Sequence, residues 1–121
     1  MKFKKSGEFK TKISGVQHSC PHTGMSRQEI IKKHIRPGTR LIPIAEPENN
    51  YDPNAVGLWL MQATGSGAGK FHVGYLNPER AKEVSRWIKE NRSIFITVLE
   101  ITGGTSGKRS HGVNIAVKFE G

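Results

Sequence analysis

Two apolar runs, Leu41-Ile42-Pro43-Ile44 and Ala55 to Met61, flank a stretch that breaks both helix and strand: Glu46-Pro47-Glu48-Asn49-Asn50-Tyr51-Asp52-Pro53-Asn54. Pro53 pushes Asp52 into extended backbone, and Asp and Asn side chains bond the main chain of tight turns. The chain must therefore turn between two strand-like segments. It does so on a loop that carries an aromatic ring and a carboxylate, the composition of a binding loop on a rigid scaffold.

The rest of the chain fits a sheet built from short pieces. Phe9, Thr11 and Ile13 alternate with Lys10 and Lys12, a half-buried strand with a basic outer face, and Gly15 interrupts it. Ser26-Arg27-Gln28-Glu29 reads as a capping box for a helix through Ile30, Ile31 and Ile35, stopped by Pro37-Gly38. Pro43 marks its strand as an edge or a bulged one, because proline cannot donate to a ladder. Phe71 to Leu76 is a further strand. Asn77-Pro78 opens a helix over 78–90, with Ala81, Val84, Trp87 and Ile88 at helical spacing. Ile94 to Ile101 and Val113 to Phe119 are the last strands. Glycine-rich connections, Thr64 to Gly69 and Gly103 to Gly112, read as hairpin tips. Most connections are too short for right-handed crossovers, so the expected fold is mostly β with two helices: a small, six-stranded, largely antiparallel OB/SH3-like β-barrel.

A length of 121 residues suits one domain. Its core is expected over about 8–119, with 1–7 as a basic N-terminal tail. No apolar run is long enough to span a bilayer, the first residues lack the apolar segment of a signal peptide, and Cys20 is the only cysteine. An intracellular place follows as an expectation, cytoplasmic or with nucleoid DNA, and no membrane partner.

The net charge of +9 is unevenly spread. Residues 1–40 carry ten Lys or Arg against Glu8 and Glu29, whereas residues 41–60 carry Glu46, Glu48 and Asp52 and no base. A basic body attracts a polyanion over long range, and the acidic loop offers something other than positive charge at one point of contact. Nucleic acid is favoured over an anionic membrane surface, since no basic amphipathic helix of membrane type is present. Taken by itself the loop has two readings: Asp52 and Asn54 staple the turn while Tyr51 roofs the core, or all three face a ligand.

Catalytic and metal readings are weaker. His18, Cys20 and His22 are zinc-type ligands within five residues, but a closed site needs a fourth, which only His34, His72 or His111 could bring through folding. Cys20 beside histidines has no evident orienting acid. Gly65-Ser66-Gly67-Ala68-Gly69-Lys70 fails as a phosphate loop: Thr64 stands at the first glycine, Phe71 replaces Ser or Thr, and a strand follows instead of a helix. No cofactor is implied. Lys82, Arg86 and Lys89 share a helix face interleaved with Glu79, Glu83 and Glu90, the pattern of a solvated surface.

Glu46-Pro47-Glu48-Asn49-Asn50-Tyr51-Asp52-Pro53-Asn54-Ala55-Val56, then Gly74-Tyr75-Leu76 before a helix, resembles the signature of the HIRAN domain family. Upstream, Gly15-Val16-Gln17-His18 and Ser26 to Ile30 resemble its first-strand end and first helix, so the likeness runs through most of residues 8–119. The resemblance implies a non-enzymatic module that binds single-stranded DNA at its 3′ end, alongside helicase or nuclease proteins and in repair or replication-fork processing. Carried over by position, it implicates Gln17, His18, Asn49, Tyr51, Asp52 and Tyr75. The rings of Tyr51, Tyr75 and His18 would stack on unpaired bases. Asp52 would accept a hydrogen bond from a terminal hydroxyl while repelling a phosphate. Lys108 and Arg109, in the last glycine-rich loop, are added from composition as phosphate contacts. The alternatives are a small zinc-binding or hydrolytic protein using His18, Cys20 and His22, and an adaptor that binds an acidic protein through the basic face.

Overall fold

In the computed structural model, residues 6–19, 24–64, 67–107 and 110–120 are described. They form β1 (Gly7–Lys12), α1 (Arg27–His34), β2 (Arg40–Ala45), β3 (Val56–Thr64), β4 (Gly67–Tyr75), α2 (Pro78–Lys89), β5 (Ser93–Gly103) and β6 (His111–Glu120). The strands make one six-stranded sheet in the order β1-β6-β5-β2-β3-β4, and every neighbouring pair is antiparallel. Short connections dictate this for β2–β3, β3–β4 and β5–β6, since parallel pairing there would need a crossover.

The sheet curls until its edge strands touch. Ser14, just beyond β1, exchanges two backbone hydrogen bonds with Tyr75 at the end of β4, at 2.8 and 2.9 Å. Gly74 permits the approach, because a Cβ there would lie 2.5 Å from the Ser14 carbonyl oxygen and from a methyl of Ile13. A single bridge is not a ladder. The sheet is therefore not closed, and the expected barrel is an approximate one.

Pro43 is accommodated in an unexpected way. β2 lies in the middle of the strand order rather than at an edge, yet its pairing with β5 covers only Arg40 and Leu41. The missing N–H thus interrupts no β5 ladder bond, while β2 continues along β3 from Ile42 to Ala45. The first glycine-rich segment also departs from expectation. Its residues Gly67 to Gly69 are paired strand backbone of β4, not hairpin tip.

Inward residues of the strands, among them Val56, Leu58, Val73, Ile96, Val98, Val113 and Ile115, form the core. Each buried aliphatic side chain contributes about 1.5–3 kcal/mol relative to exposure. Helix α2 covers this core with Ala81, Val84 and Trp87, and the Trp87 ring stacks on Phe119 at 4.0 Å between centroids. Its start follows the sequence reading: the Asn77 side chain accepts from the Arg80 amide at 3.0 Å, with Pro78 at the first turn. The same side chain donates to the Thr11 hydroxyl at 2.7 Å and so ties α2 to β1. Asn91, in left-handed backbone with φ 59°, ends the helix.

Helix α1 starts differently from the capping-box expectation. Ser26 is the N-cap residue but makes no side-chain cap hydrogen bond. Gln28 instead bonds away from the helix, donating to the Val16 and His111 carbonyls at 2.9 and 3.0 Å and accepting from the His111 amide at 2.6 Å. Among the described residues no helix is long and apolar enough to cross a membrane.

Candidate nucleic-acid interface

The loop after β2 is organised by its own side chains. Asn49 accepts, through Oδ1, the amides of Tyr51 and Asp52 at 2.8 and 3.1 Å. Asp52 accepts the Asn54 amide through Oδ1 at 2.8 Å, and its backbone carbonyl accepts the Ala55 amide at 3.0 Å. These are the short Asx-type bonds that such sequences favour. Asp52 therefore does staple the turn, but with one oxygen only; its other carboxylate oxygen has no hydrogen-bond partner among the described residues. Tyr51 does not roof the core, being 99% exposed.

Opposite the loop stands the β1–β4 junction. Gly15, at φ +76°, turns the chain after Ser14, and the His18 amide closes the turn on the Gly15 carbonyl at 3.2 Å. Between junction and loop lies an open groove of about 590 Å³. Its wall contains His18, Asn49, Tyr51, Asp52 and Tyr75, five of the residues singled out from the sequence. Ala55, Leu76 and Pro78 add an apolar part, and Ser14, Ser19 and Arg27 complete it. Gln17 is exposed in the neighbouring turn and is not part of the wall. Lys108, Arg109, Cys20 and His22 lie outside the described residues. Among those described, no three His, Cys, Asp or Glu side chains group as a metal site.

Arg27 was not singled out as a site residue, and it is the unusual member of this wall. It is a guanidinium only 3% exposed at the first position of α1, where the helix dipole disfavours a cation. Burial of such a charge requires partners. Nε donates to the His72 carbonyl at 3.0 Å, Nη1 to the Gly15 carbonyl at 2.9 Å, and Nη2 to His72 Nδ1 at 2.8 Å. The Tyr75 ring covers the guanidinium, with Cζ 5.5 Å from the ring centre.

Because arginine has no acceptor, His72 Nδ1 must accept and the proton must sit on Nε2. Nε2–H then donates to Glu46 Oε2 at 3.1 Å. The other Glu46 oxygen accepts from the Asn49 side-chain amide at 3.1 Å and from the Tyr75 hydroxyl at 3.3 Å. Burial, and then the charge of Arg27, lower the His72 pKa from the ordinary 6.5 against the opposing pull of Glu46. Burial and the Glu46 charge raise that of Tyr75, which keeps its proton and remains a donor. Glu46, His72 and Arg27 thus form a polar chain behind the groove. Two unread signals in the sequence could have drawn attention to it: an arginine opening a helix, and a histidine between Phe71 and Val73 in an apolar strand.

A family model described as HIRAN domain matches residues 6–119. Two solved structures share the fold. The HIRAN domain of human HLTF superposes with a TM-score of 0.60 at 16% identity, covering 96% of this chain and 79% of that one. A protein from Lactobacillus plantarum superposes with a TM-score of 0.64 at 13% identity, covering 98% of this chain and 100% of that one. No curated protein matches the chain in sequence.

Proposed function

The chain belongs to the HIRAN domain family, and from that premise, which supports a nucleic-acid-binding module, we propose that its groove takes the 3′-OH end of single-stranded DNA. The observation that supports this most is the pairing of Asp52 with two aromatic rings in one groove wall. Tyr51, standing free of the surface, and Tyr75, fixed by its hydroxyl, offer faces on which unpaired bases stack, each worth about 1–3 kcal/mol. The Asp52 oxygen that has no partner among the described residues accepts from a terminal hydroxyl, a donor that internal nucleotides of DNA lack. A phosphate at the same point would meet the carboxylate as a like charge.

The basic body supplies attraction, and Arg27 places one fixed positive charge beside the acidic loop. Gln17, Lys108 and Arg109 belong to this reading as outer contacts to the strand. The module acts by binding alone; any helicase or nuclease activity resides in partner proteins, at DNA ends met in repair or fork processing inside the cell. The test compares oligonucleotides that end in 3′-OH and in 3′-phosphate. Asp52→Ala should weaken binding of the 3′-OH strand about tenfold or more and leave the weaker 3′-phosphate complex nearly unchanged. Equal losses on both strands would refute end recognition by Asp52.

A further inference from the structure

The side chains proposed to hold the strand end come from separate parts of the chain: Asn49, Tyr51 and Asp52 from the loop after β2, and Tyr75 from the end of β4. No backbone hydrogen bond is seen between that loop's Asn49–Asn54 segment and Tyr75. One carboxylate oxygen bridges their side chains. Glu46 Oε1 accepts from both the Asn49 side chain and the Tyr75 hydroxyl, while Oε2 is held by His72.

The polarity of this chain is fixed along its length. Arg27 only donates, so His72 Nδ1 accepts and Nε2 donates, which leaves Glu46 as the acceptor where the chain ends. Space is fixed as well. Gly57 lies beneath the junction, where a Cβ would come within 2.5 Å of Glu46 Oε2 and 2.7 Å of His72 Nε2. The Trp59 ring meets His72 edge-on, at 4.8 Å between centroids. A carboxylate held on two sides by ordered neighbours is a rigid fixture rather than a mobile surface acid.

From this geometry we infer that Glu46, oriented by the Arg27–His72 pair, is the positioning residue that sets the Asn49–Asp52 loop and the Tyr75 ring in register for one strand end. Glu46 is not among the residues that line the groove. It works through Asn49, whose other amide atom holds the Tyr51 and Asp52 amides, and through the Tyr75 hydroxyl. The inference rests on the binding reading above for its consequence, but the arrangement itself is tested without DNA.

Glu46→Gln retains size and an acceptor for Asn49 and Tyr75, but its amide NH₂ would face the His72 N–H as donor against donor. His72→Gln keeps the polarity, with an amide oxygen toward Arg27 and an NH₂ toward Glu46; His72→Leu abolishes it. The first measurement is amide exchange with water by NMR, on protein alone. Glu46→Gln and His72→Leu should accelerate exchange at Tyr51 and Asp52 and leave Val113 and Ile115 in the β5–β6 ladder protected, whereas His72→Gln should resemble the parent. The second is affinity for a 3′-OH oligonucleotide, expected to fall about tenfold in Glu46→Gln and less than about threefold in His72→Gln. Uniform acceleration over the whole sheet would show a merely structural role and overturn the inference, as would unchanged exchange at Tyr51 and Asp52. If the parent protein binds no strand end, the binding reading fails and the exchange pattern alone decides the positioning role. If the parent binds and Glu46→Gln binds equally well, the positioning role fails while end recognition stands.

Discussion

Helix α2 meets the sheet through Ala81, Val84 and Trp87, whereas α1 meets it through Ile30 and Ile31 along its length and through Arg27 and Gln28 at its N-terminal end. The apolar contact of α2 is non-directional and tolerant of small shifts, and none of these three side chains lines the groove. The polar end of α1 is directional: each donor of Arg27 has one acceptor, and those acceptors lie in the first turn after β1 and in β4. The difference teaches where stability and site geometry are stored. Burial under α2 holds the sheet together, and hydrogen bonds at the start of α1 fix the shape of the groove wall.

The comparison breaks most visibly at Trp87. Trp87→Ala removes a buried indole stacked on Phe119, and the expected loss is about 3–5 kcal/mol of folding free energy. Urea unfolding should show a lower midpoint, while affinity for the oligonucleotide per folded molecule should stay that of the parent. A binding defect in the folded fraction would mean that the two regions are not separable. Arg27→Met is the opposite probe: it strands the Gly15 carbonyl, the His72 carbonyl and His72 Nδ1 at about 1–3 kcal/mol each, and removal of the buried guanidinium's desolvation cost offsets this to a smaller expected net loss. Here binding should fall together with stability, because the groove wall loses its fixed charge and its reference point. Retained binding by Arg27→Met would overturn the division between a stabilising helix and a site-forming one.

The same contrast decides what was legible in the sequence. Helix α2 could be read from Asn77-Pro78 and the spacing of Ala81, Val84 and Trp87, because both its cap and its buried stripe are local patterns. The loop residues Asn49, Tyr51 and Asp52 were also legible, as turn chemistry and then through family resemblance, and the groove brings them together with His18 and Tyr75. The role of Arg27 was not. Ser26-Arg27-Gln28-Glu29 looks like a cap in sequence, yet Arg27 and Gln28 take partners 12, 45 and 83 residues away. Hydrogen bonds between distant segments leave no periodicity to read. Glu46 was visible only as one acid in an acidic stretch, and nothing local distinguishes it from Glu48, although it is Glu46 that bonds Asn49, His72 and Tyr75.

The most delicate probe of the polar region is a proton. His72 is buried and neutral, with Glu46, Arg27, Tyr75 and Trp59 around it. A second ring proton would have to go on Nδ1, against the donating Nη2 of Arg27. Its pKa in the folded protein lies below the ordinary 6.5, chiefly through burial and then through Arg27. Unfolded chains therefore take up a proton at this residue as pH falls through 6.5, and folded chains do not. His72 contributes its full share of stability above that pH, and the share shrinks as pH falls toward the folded value. Thermal melts from about pH 7 to pH 5, where histidine is the side chain that ordinarily titrates, should show a decline. His72→Gln has no proton to gain and should decline less, the difference between the two slopes being the contribution of this one ring. Parallel slopes would place no linkage at His72, and the polar end of α1 would then be as indifferent to charge as the apolar face of α2.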